Sequence, residues 1–305
     1  MRSALSLILA PSDRLAADRE VGDFLRLTAQ RAIDLNLIAV AQEANRLLWA
    51  LLPMPTLGRT LQLLSPNYLF DTAQIEPAGR LIDSVCDDYA KRGTTLAQVL
   101  IDPASAGIRS LYCRHGFIEM AELKYLQGTP RISKPALELP PDYFYQPYSP
   151  ATHGYFAEAI RASYRDSLDC PALNGMRDMD DVLAGHRSAA GPAGAAEFDP
   201  SLWRVLLHRP PGGGEAVPRG VLLLCRIDAS EAMELVYIGL APEARGRGLG
   251  TLLVRQALAD AAADNRRRLT LAVDSRNRPA LALYFRHGFQ KIGEKIALIR
   301  DLRRP

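Results

Sequence analysis

The feature that most constrains the fold of this chain is an internal repeat. Residues 111–117, Leu-Tyr-Cys-Arg-His-Gly-Phe, match residues 283–289, Leu-Tyr-Phe-Arg-His-Gly-Phe, at an offset of 172 residues. The same offset places Asp102 on Asp274 without a gap, so the match keeps its register back to the preceding predicted strand. A repeat of this kind indicates a duplicated domain. The length of 305 residues agrees, since single cores rarely grow beyond about 250–300 residues.

The second copy contains a stretch, residues 234–251, that is typical of a strand, a loop and a helix. Leu235 to Leu240 is apolar apart from one glycine, as in a buried strand, and residues 251–258 keep apolar residues at helical spacing. Between them lies Arg245-x-x-Gly248-x-Gly250. Glycines let backbone N–H groups approach an anion, and a helix start adds unpaired N–H groups and a positive dipole end. The stretch therefore predicts a phosphate-binding loop.

The first copy departs from this pattern. The offset places Arg245-x-x-Gly248-x-Gly250 on Ala73-x-x-Glu76-x-Ala78, which has neither the arginine nor the glycines. Glu234 falls on Gln62, while Tyr284 keeps a tyrosine, Tyr112. We therefore predict a degenerate domain over residues 1–130, a linker over 131–141 and a catalytic domain over 142–305.

Periodicity and turn signals predict the local structure of both copies. In the first copy they predict a strand at 5–10, a helix at 13–34, strands at 35–41, 45–52 and 59–64 with a turn at 53–55, a helix at 77–91, a strand at 94–102, a helix at 105–115 and a strand pair at 116–126. In the second they predict a strand at 143–148, a helix at 150–164, strands at 202–208, 220–228 and 268–274, a helix at 279–287 and a strand pair at 289–302.

On these residues, roughly 140–305 resemble the GNAT family of N-acetyltransferases. The family's acyl-CoA motif is a strand, then Arg/Gln-x-x-Gly-x-Gly/Ala, then a helix, and a second family segment matches residues 271–289 about 30 residues later. The two-copy layout is similar to the tandem members of the family, of the mycothiol synthase type. The resemblance implies an α/β (α+β) fold with tandem domains. Each would be a mixed, mostly antiparallel sheet with splayed central strands, flanked by helices.

The resemblance also implies an activity and a set of site residues. The co-substrate would be acetyl-CoA, with no metal, and an amine would attack the thioester directly. Glu234 would act as base, with Glu231 as its competitor, and Tyr284 would act as acid. The acyl-CoA arm would pair with Ile238, Gly239 and Leu240, with a β-bulge at Gly239, and Asn277 would contact the arm or the next helix. The pyrophosphate would lie against Arg245, Gly246, Arg247, Gly248, Leu249, Gly250 and Thr251.

The acceptor remains open at the level of sequence. Residues 165–200 carry no recognisable signature, and mixed polarity in and beside them fits a small polar amine: Tyr164, Asp166, Asp169, Arg177, Asp180, Asp181 and His186. Two alternatives stand beside that acceptor, namely acetylation of a protein or peptide and a non-catalytic acyl-CoA sensor. A nucleotide-binding loop is disfavoured because the Lys-Ser/Thr of Gly-x-x-x-x-Gly-Lys-Ser/Thr is missing.

Composition excludes several other classes. A net charge of +3 with scattered arginines does not favour nucleic acid, and no run approaches the ~18 apolar residues of a membrane span. The apolar start at Met1 to Ala10 fits a first strand better than a signal peptide. The four cysteines are far apart; Cys86, Cys113 and Cys225 are expected in the core, in a reducing cytoplasm. A monomer or homodimer is expected.

Overall fold

A computed structural model of the protein describes residues 1–9, 21–26, 28, 33–69, 71–132, 138–173, 175–188, 198–227 and 230–303. Within these residues the chain forms two compact units. Unit 1 contains Met1–Glu122 and the C-terminal segment from Glu294, and unit 2 contains the chain from Leu123 to Gly293. Unit boundaries therefore differ from the ends of the sequence repeat.

Unit 1 is a sheet covered by helices. Its elements from the first copy are α1 (Arg2–Leu9), β1 (Ala39–Glu43), β2 (Arg46–Thr56), β3 (Thr60–Leu64), α2 (Ile75–Lys91), β4 (Leu96–Ile101) and α3 (Ala106–Arg114). β3 and β4 are parallel, while β1, β2 and β3 pair antiparallel. One core of the unit is centred on Trp49, Ile82, Tyr112 and Phe117.

Unit 2 repeats this plan. Its elements are the second half of β5 (Ile118–Gly128), β6 (Tyr143–Pro147), α4 (His153–Tyr164), α5 (Met179–Ser188), β7 (Trp203–His208), β8 (Val217–Ile227), β9 (Ala232–Leu240), α6 (Leu249–Ala263), β10 (Arg268–Asp274) and α7 (Arg278–Arg286). The strand order in the unit is β5-β10-β9-β8-β7-β6, with only β9 and β10 parallel. This is the mostly antiparallel, helix-flanked sheet predicted from the sequence.

Each unit takes one strand from the other copy of the repeat. β5 follows α3 of the first copy but pairs with β10 of the second, from Leu269↔Gly128 to Asp274↔Leu123. The last strand, β11 (Gln290–Asp301), follows α7 but pairs with β4, from Ile296↔Ile101 to Asp301↔Leu96. Each unit therefore contains a strand that belongs to the other copy of the repeat. The predicted division of the chain into two contiguous domains at residues 130–142 does not describe this exchange of strands.

The repeat holds in three dimensions. The offset of 172 carries Ala106–Arg114 of α3 onto Arg278–Arg286 of α7. In the parallel pairs, Gln62 lies beside Gln98 in unit 1 and Glu234 beside Thr270 in unit 2, again at that offset. The alignment of Gln62 with Glu234 is thereby confirmed.

Several local predictions are wrong at the ends of the copies. Residues 5–10 were expected to be a strand, but helix α1 spans Arg2–Leu9 and buries Ala4, Leu5 and Ile8 at helical spacing. The first strand after it begins at Ala39 rather than at residue 35. The helix expected at 13–34 lies largely outside the described residues, of which 21–26 are helical. The strand pairs expected at 116–126 and 289–302 are single strands, β5 and β11.

The turn expected at residues 53–55 is also wrong, because β2 runs through both prolines. β2 pairs with β1 up to Leu51 and with β3 from Leu52 onward. The half of β2 that contains Pro53 and Pro55 therefore has a hydrogen-bonded strand on one side only. A strand of this kind tolerates proline, since the missing N–H groups can face away from the ladder.

The cysteines and hydropathy agree with most of the sequence expectations. Cys86 and Cys225 are buried, but Cys113 is exposed on α3, which corrects its expected place in the core. No group of metal-ligating side chains is found in the part of the chain that the structure describes. Among the same residues, no helix has both the length and the apolar character required to span a bilayer.

Candidate active site

A cavity of about 620 Å³ lies in unit 2 at the point where β9 and β10 separate. The two strands pair only from Ala232↔Arg268 to Glu234↔Thr270. Beyond Glu234, β9 continues beside β8, whereas β10 continues beside β5. Both diverging strands line the cavity, together with the loop before α6 and one side of α7. The volume lies in the range of small-molecule sites, and the splayed strands predicted from the sequence create it.

The loop before α6 forms an anion cradle at one wall of this cavity. Gly246 and Gly248 have φ of 73° and 77°, the left-handed region that favours glycine, and Gly248 is the N-cap of α6. A Cβ built on either glycine meets no protein atom within 4 Å. The backbone of the loop therefore faces open space beside a helix N-terminus, where N–H groups bind anions. Leu249 is buried and contributes only its backbone, while Gly250 and Thr251 line the cavity.

Gly250 is required for the packing of two helices and not for an unusual backbone conformation. A Cβ at this position would lie 3.3 Å from Cδ2 of Leu283, so the glycine lets α6 approach α7 closely. Gly246, Gly248 and Gly250 thus have two different physical roles. Two shape the cradle, and the third brings the two helices that wall the cavity together.

Arg245 lines the cavity, and its guanidinium is also engaged with the backbone of neighbouring elements. Its guanidinium donates to four backbone carbonyls: those of Leu240 at 3.1 Å, Ser163 at 2.9 Å, Arg165 at 2.8 Å and Asp166 at 3.2 Å. The last three lie at and just beyond the end of α4, where unsatisfied carbonyls attract a cation. Arg245 therefore fixes the loop to the end of α4. Arg247 is exposed and is not among the residues that line the cavity.

Replacing Arg245 with Met is expected to destabilise the protein. The change removes all four hydrogen bonds, and we expect the free energy of unfolding to fall by about 2–3 kcal/mol. Urea unfolding of the full chain measures this difference. Arg247→Met is the matched control and is expected to stay within about 0.5 kcal/mol of the unchanged protein. Equal stability of the two variants would contradict the structural role of Arg245.

The β-bulge of β9 lies at Val236 and not at Gly239. Leu223 pairs with Tyr237 and Leu224 with Leu235, which leaves Val236 as the extra residue on β9. Gly239 is required for a different reason, because its Cβ would lie 2.6 Å from Oγ of Ser163 on α4. Ile238, Gly239 and Leu240 all line the cavity, as the resemblance implies for an arm-binding strand.

Tyr284 and Asn277 both lie in the cavity wall. Tyr284 is 4% exposed, and burial, followed by the negative charge of Asp169, raises the pKa of its phenol above the ordinary value. It therefore keeps its proton at neutral pH. Asn277 is the N-cap of α7, with its side-chain oxygen accepting from the N–H of Ala280 at 3.3 Å. Asn277 thereby fixes the start of the helix that carries Tyr284.

Glu234 is not among the residues that line the cavity, although the next residue, Leu235, is. It lies in the paired part of β9, opposite Cys225 and beside Thr270. Its charge adds to burial in raising the pKa of Tyr125, which reaches about 12. The competing carboxylate, Glu231, is exposed in the turn before β9 and forms an ion pair with Arg267 at 2.5 Å. Glu231 is therefore excluded as a cavity base.

The carboxylate that reaches the cavity in a half-buried position is Asp169. Burial, with the nearby Asp274 carboxylate adding to it, raises the pKa of Asp169. Asp274 is fully buried, and its pKa stays low because the guanidinium and N–H of Arg276 and the N–H of Cys170 donate to it. Sequence reasoning named Asp169 only among several polar residues. No motif marks it, since the fold brings it to the end of β10.

Some of the other residues predicted for the acceptor site line the cavity in the structure, and others do not. Ser163 and residues 166–169 line the cavity, whereas Tyr164, Arg177 and His186 do not. His186 stacks at 5.0 Å on the ring of Tyr237, and burial lowers its pKa to about 3, so it is neutral. Asp180, with a side chain 95% exposed, points to solvent in the first turn of α5.

In unit 1 a short 3-10 helix, Thr72–Gln74, leads directly into α2, and side chains cap the start of that 3-10 helix. The Asp71 carboxylate accepts from the N–H of Ala73 at 3.0 Å, and the Gln74 side chain accepts from the N–H of Asp71 at 3.0 Å. Gln74 also donates to the carbonyl of Leu48 at 2.8 Å. Side-chain capping thus takes the place of an anion at this helix start. Residues 71–78 thus give the first copy a side-chain cap where the second copy has an open glycine loop.

Comparisons with known proteins agree with this geometry. Residues 197–289 match the model of the acetyltransferase (GNAT) family. A named relative, the 5-NmdU N-acetyltransferase of Pseudomonas phage PaMx11, is 44% identical over 62 residues, which are 20% of this chain and 42% of that protein. The chain therefore spans less than half the length of this curated relative.

Solved structures extend the likeness to the whole chain. A GCN5-related N-acetyltransferase from Sphaerobacter thermophilus superposes with a TM-score of 0.60 at 16% identity, covering 99% of this chain and 92% of that one. A tandem GNAT protein from the clavulanic acid biosynthesis pathway superposes with a TM-score of 0.50 at 14% identity, covering 99% and 93%. At these identities the likeness concerns the fold. The chain thus has the fold of these GNAT structures, one of them a tandem GNAT protein, and its residues 197–289 match the acetyltransferase model of that family.

Proposed function

We propose that this protein is an N-acetyltransferase that moves the acetyl group of acetyl-CoA to the primary amine of a small polar acceptor. The observation that carries the proposal is a cavity of unit 2 that is lined by the glycine loop before α6, by the part of β9 that has left β10 and by Tyr284. The family match covers the same elements. The activity is assigned to the second copy, because the first copy lacks the arginine and the glycines of the motif, and side chains cap the 3-10 helix that leads into α2.

The cavity offers two binding features suited to acetyl-CoA. The N–H groups of residues 246–251, with Arg247 beside them, would hold the pyrophosphate through charge-assisted hydrogen bonds. The edge of β9 along Ile238 to Leu240 would pair with the amide-containing arm, as an extended peptide adds to a strand edge. That edge is available because β9 leaves β10 after Glu234.

The reaction requires a deprotonated amine and a protonated leaving group. An alkylammonium has a pKa near 10.4, so an amine needs help to become nucleophilic at neutral pH. The neutral amine would attack the thioester carbonyl, and the resulting tetrahedral species would collapse with cleavage of the C–S bond. Tyr284, protonated and in the cavity wall, would give its proton to the departing thiolate. The role of Glu234 as base, directly or through a water, stays a prediction.

A small acceptor is favoured by the size of the site. The cavity of about 620 Å³ must hold the acyl-CoA arm and the acceptor together, which leaves little room for a folded protein surface. The curated relative is named as an acetyltransferase of 5-NmdU, and that name supports transfer to nitrogen. The residues around the cavity do not narrow the acceptor further than a small polar amine.

The proposed function is tested by thiol release from acetyl-CoA with a panel of small amines and short peptides. Turnover with one or more small polar amines is the expected result. Turnover with peptides alone would favour a protein or peptide acetyltransferase. Tight acetyl-CoA binding without turnover for any acceptor would contradict catalysis and indicate an acyl-CoA sensor.

A further inference from the structure

The acetyl transfer proposed here requires a base that removes a proton from the amine, and one carboxylate at the cavity surface is suited to that role. The carboxylates that line the cavity among the described residues are Asp166 and Asp169. Asp166 is exposed, and its part in the site is its backbone carbonyl, which accepts from Arg245. Asp169 is half-buried and lines the same cavity as Tyr284. A general base must lie within reach of the proton that it removes, and Glu234 is not among the residues that line the cavity.

The position of Asp169 is fixed by reciprocal hydrogen bonds. Its Oδ1 accepts from the N–H of Asp274 at 3.1 Å, and Oδ2 of Asp274 accepts from the N–H of Cys170 at 3.1 Å. Asn277, the N-cap of α7, also bonds to the Asp169 side chain. The carboxylate is therefore held between the end of β10 and the start of the helix that carries Tyr284, and it does not depend on solvent for its orientation.

The electrostatic surroundings of Asp169 suit proton transfer. Within the described part of the chain, six titratable or charged groups face Asp169. They are Tyr164 on α4, Cys170 in its own loop, Tyr237 on β9, Asp274 on β10, Arg276 in the turn after β10 and Tyr284 on α7. Arg276 is bonded to Asp274 at 2.6 Å, so its charge is directed mainly to that carboxylate. Burial and the Asp274 charge raise the pKa of Asp169 above its ordinary value, which is the direction that strengthens a carboxylate as a base.

We infer that Asp169 is the general base of the acetyl transfer proposed above, on which this inference rests. Its carboxylate takes one proton from the ammonium group of the acceptor, and the neutral nitrogen forms the C–N bond to the acetyl carbon. The C–S bond breaks, and the thiolate takes the phenolic proton of Tyr284. Of the two protons that the nitrogen loses, one restores Tyr284 and the other leaves to solvent. The products are the acetamide and coenzyme A.

The test compares Asp169→Asn with Asp169→Glu in the full chain. The asparagine keeps an oxygen that can accept from the N–H of Asp274, so the loop is expected to stay in place. Asp169→Asn is expected to lower kcat by 10²–10⁴-fold and to remove the rise of rate with pH, because no carboxylate remains to deprotonate. Asp169→Glu is expected to recover part of the rate together with a shifted pH limb. Glu158→Gln, at an exposed carboxylate on α4, is the control and is expected to behave as the unchanged protein.

A second readout separates a base from a structural clamp. A weakly basic nucleophile such as hydroxylamine is unprotonated at neutral pH, so the defect of Asp169→Asn is expected to shrink strongly with that acceptor. A clamp would instead give the same loss with both acceptors. The inference is overturned if Asp169→Asn keeps the pH limb of the unchanged protein while Glu234→Gln loses it. Absence of turnover by the unchanged protein with every acceptor would overturn the proposed function itself.

Discussion

Tyr284→Phe is expected to lower kcat by 10²–10⁴-fold, the usual contribution of a general acid or base. The phenol lines the cavity, and burial raises its pKa, so it keeps the proton that the thiolate needs. Phenylalanine preserves the ring and its packing against Phe289, where the ring centroids lie 5.6 Å apart. We therefore expect acetyl-CoA affinity and thermal stability to change little. Steady-state kinetics with acetyl-CoA and the best amine acceptor, together with a binding titration, measure both quantities.

The repeat supplies a matched control for this substitution. Tyr112 is the counterpart of Tyr284 in the first copy, and it lies fully buried in the core of unit 1. Tyr112→Phe is expected to leave kcat unchanged. If the two variants lost activity equally, the effect would come from packing rather than from a proton donor. An unchanged rate for Tyr284→Phe would remove Tyr284 from the mechanism.

Gly248→Glu is expected to weaken acetyl-CoA binding by roughly 100-fold or more. The substitution introduces in the second copy the residue type that the first copy has at the matching position, Glu76. A side chain at a φ of 77° is strained by about 1–2 kcal/mol, and a carboxylate beside a pyrophosphate adds like-charge repulsion of several kcal/mol. A fluorescence or calorimetric titration with acetyl-CoA measures the loss.

Two further variants separate strain from charge. Gly248→Ala keeps the strain without the carboxylate and is expected to show a much smaller loss of affinity. Gly213→Glu places the same side chain at another glycine of positive φ, 85°, in the hairpin between β7 and β8, with open space around it. It is expected to bind acetyl-CoA normally. Normal binding by Gly248→Glu would contradict the assignment of the cradle to the pyrophosphate.

The parts of the fold that the sequence predicted are those in which local pattern and tertiary role agree. Arg245-x-x-Gly248-x-Gly250 predicts a strand, a loop and a helix because glycine is required at a left-handed N-cap and at a close helix contact. The repeat predicts α3 and α7 at equivalent positions and each within one residue of its observed ends, since both copies retain the same helix and its terminal glycine.

What the sequence did not predict depends on long-range pairing. Nothing local to β5 and β11 indicates that each pairs with a strand of the other copy. Pro53 and Pro55 resemble a turn until the one-sided pairing of that half of β2 is known. Arg245 resembles a phosphate ligand because the carbonyls that it binds at the end of α4 are about 80 residues away in the chain.

The base illustrates the same limit. Glu234 is predicted as base from its place near the start of the motif strand, and it stays a prediction; the residues of β9 that line the cavity begin at Leu235. Asp169 lies in a segment without a motif, and it reaches the cavity because Asp274 holds it at the end of β10. A residue of this kind is found from the contacts and not from the spacing.

A calorimetric titration of the full chain with acetyl-CoA tests whether the C-terminal copy alone binds the acetyl donor. One site per chain is expected, since unit 2 presents an open glycine loop, whereas in unit 1 Asp71 and Gln74 cap the 3-10 helix that leads into α2. Gly248→Glu is expected to remove that site. Two sites per chain, or one site that persists in Gly248→Glu, would contradict the claim that the C-terminal copy alone binds the acetyl donor.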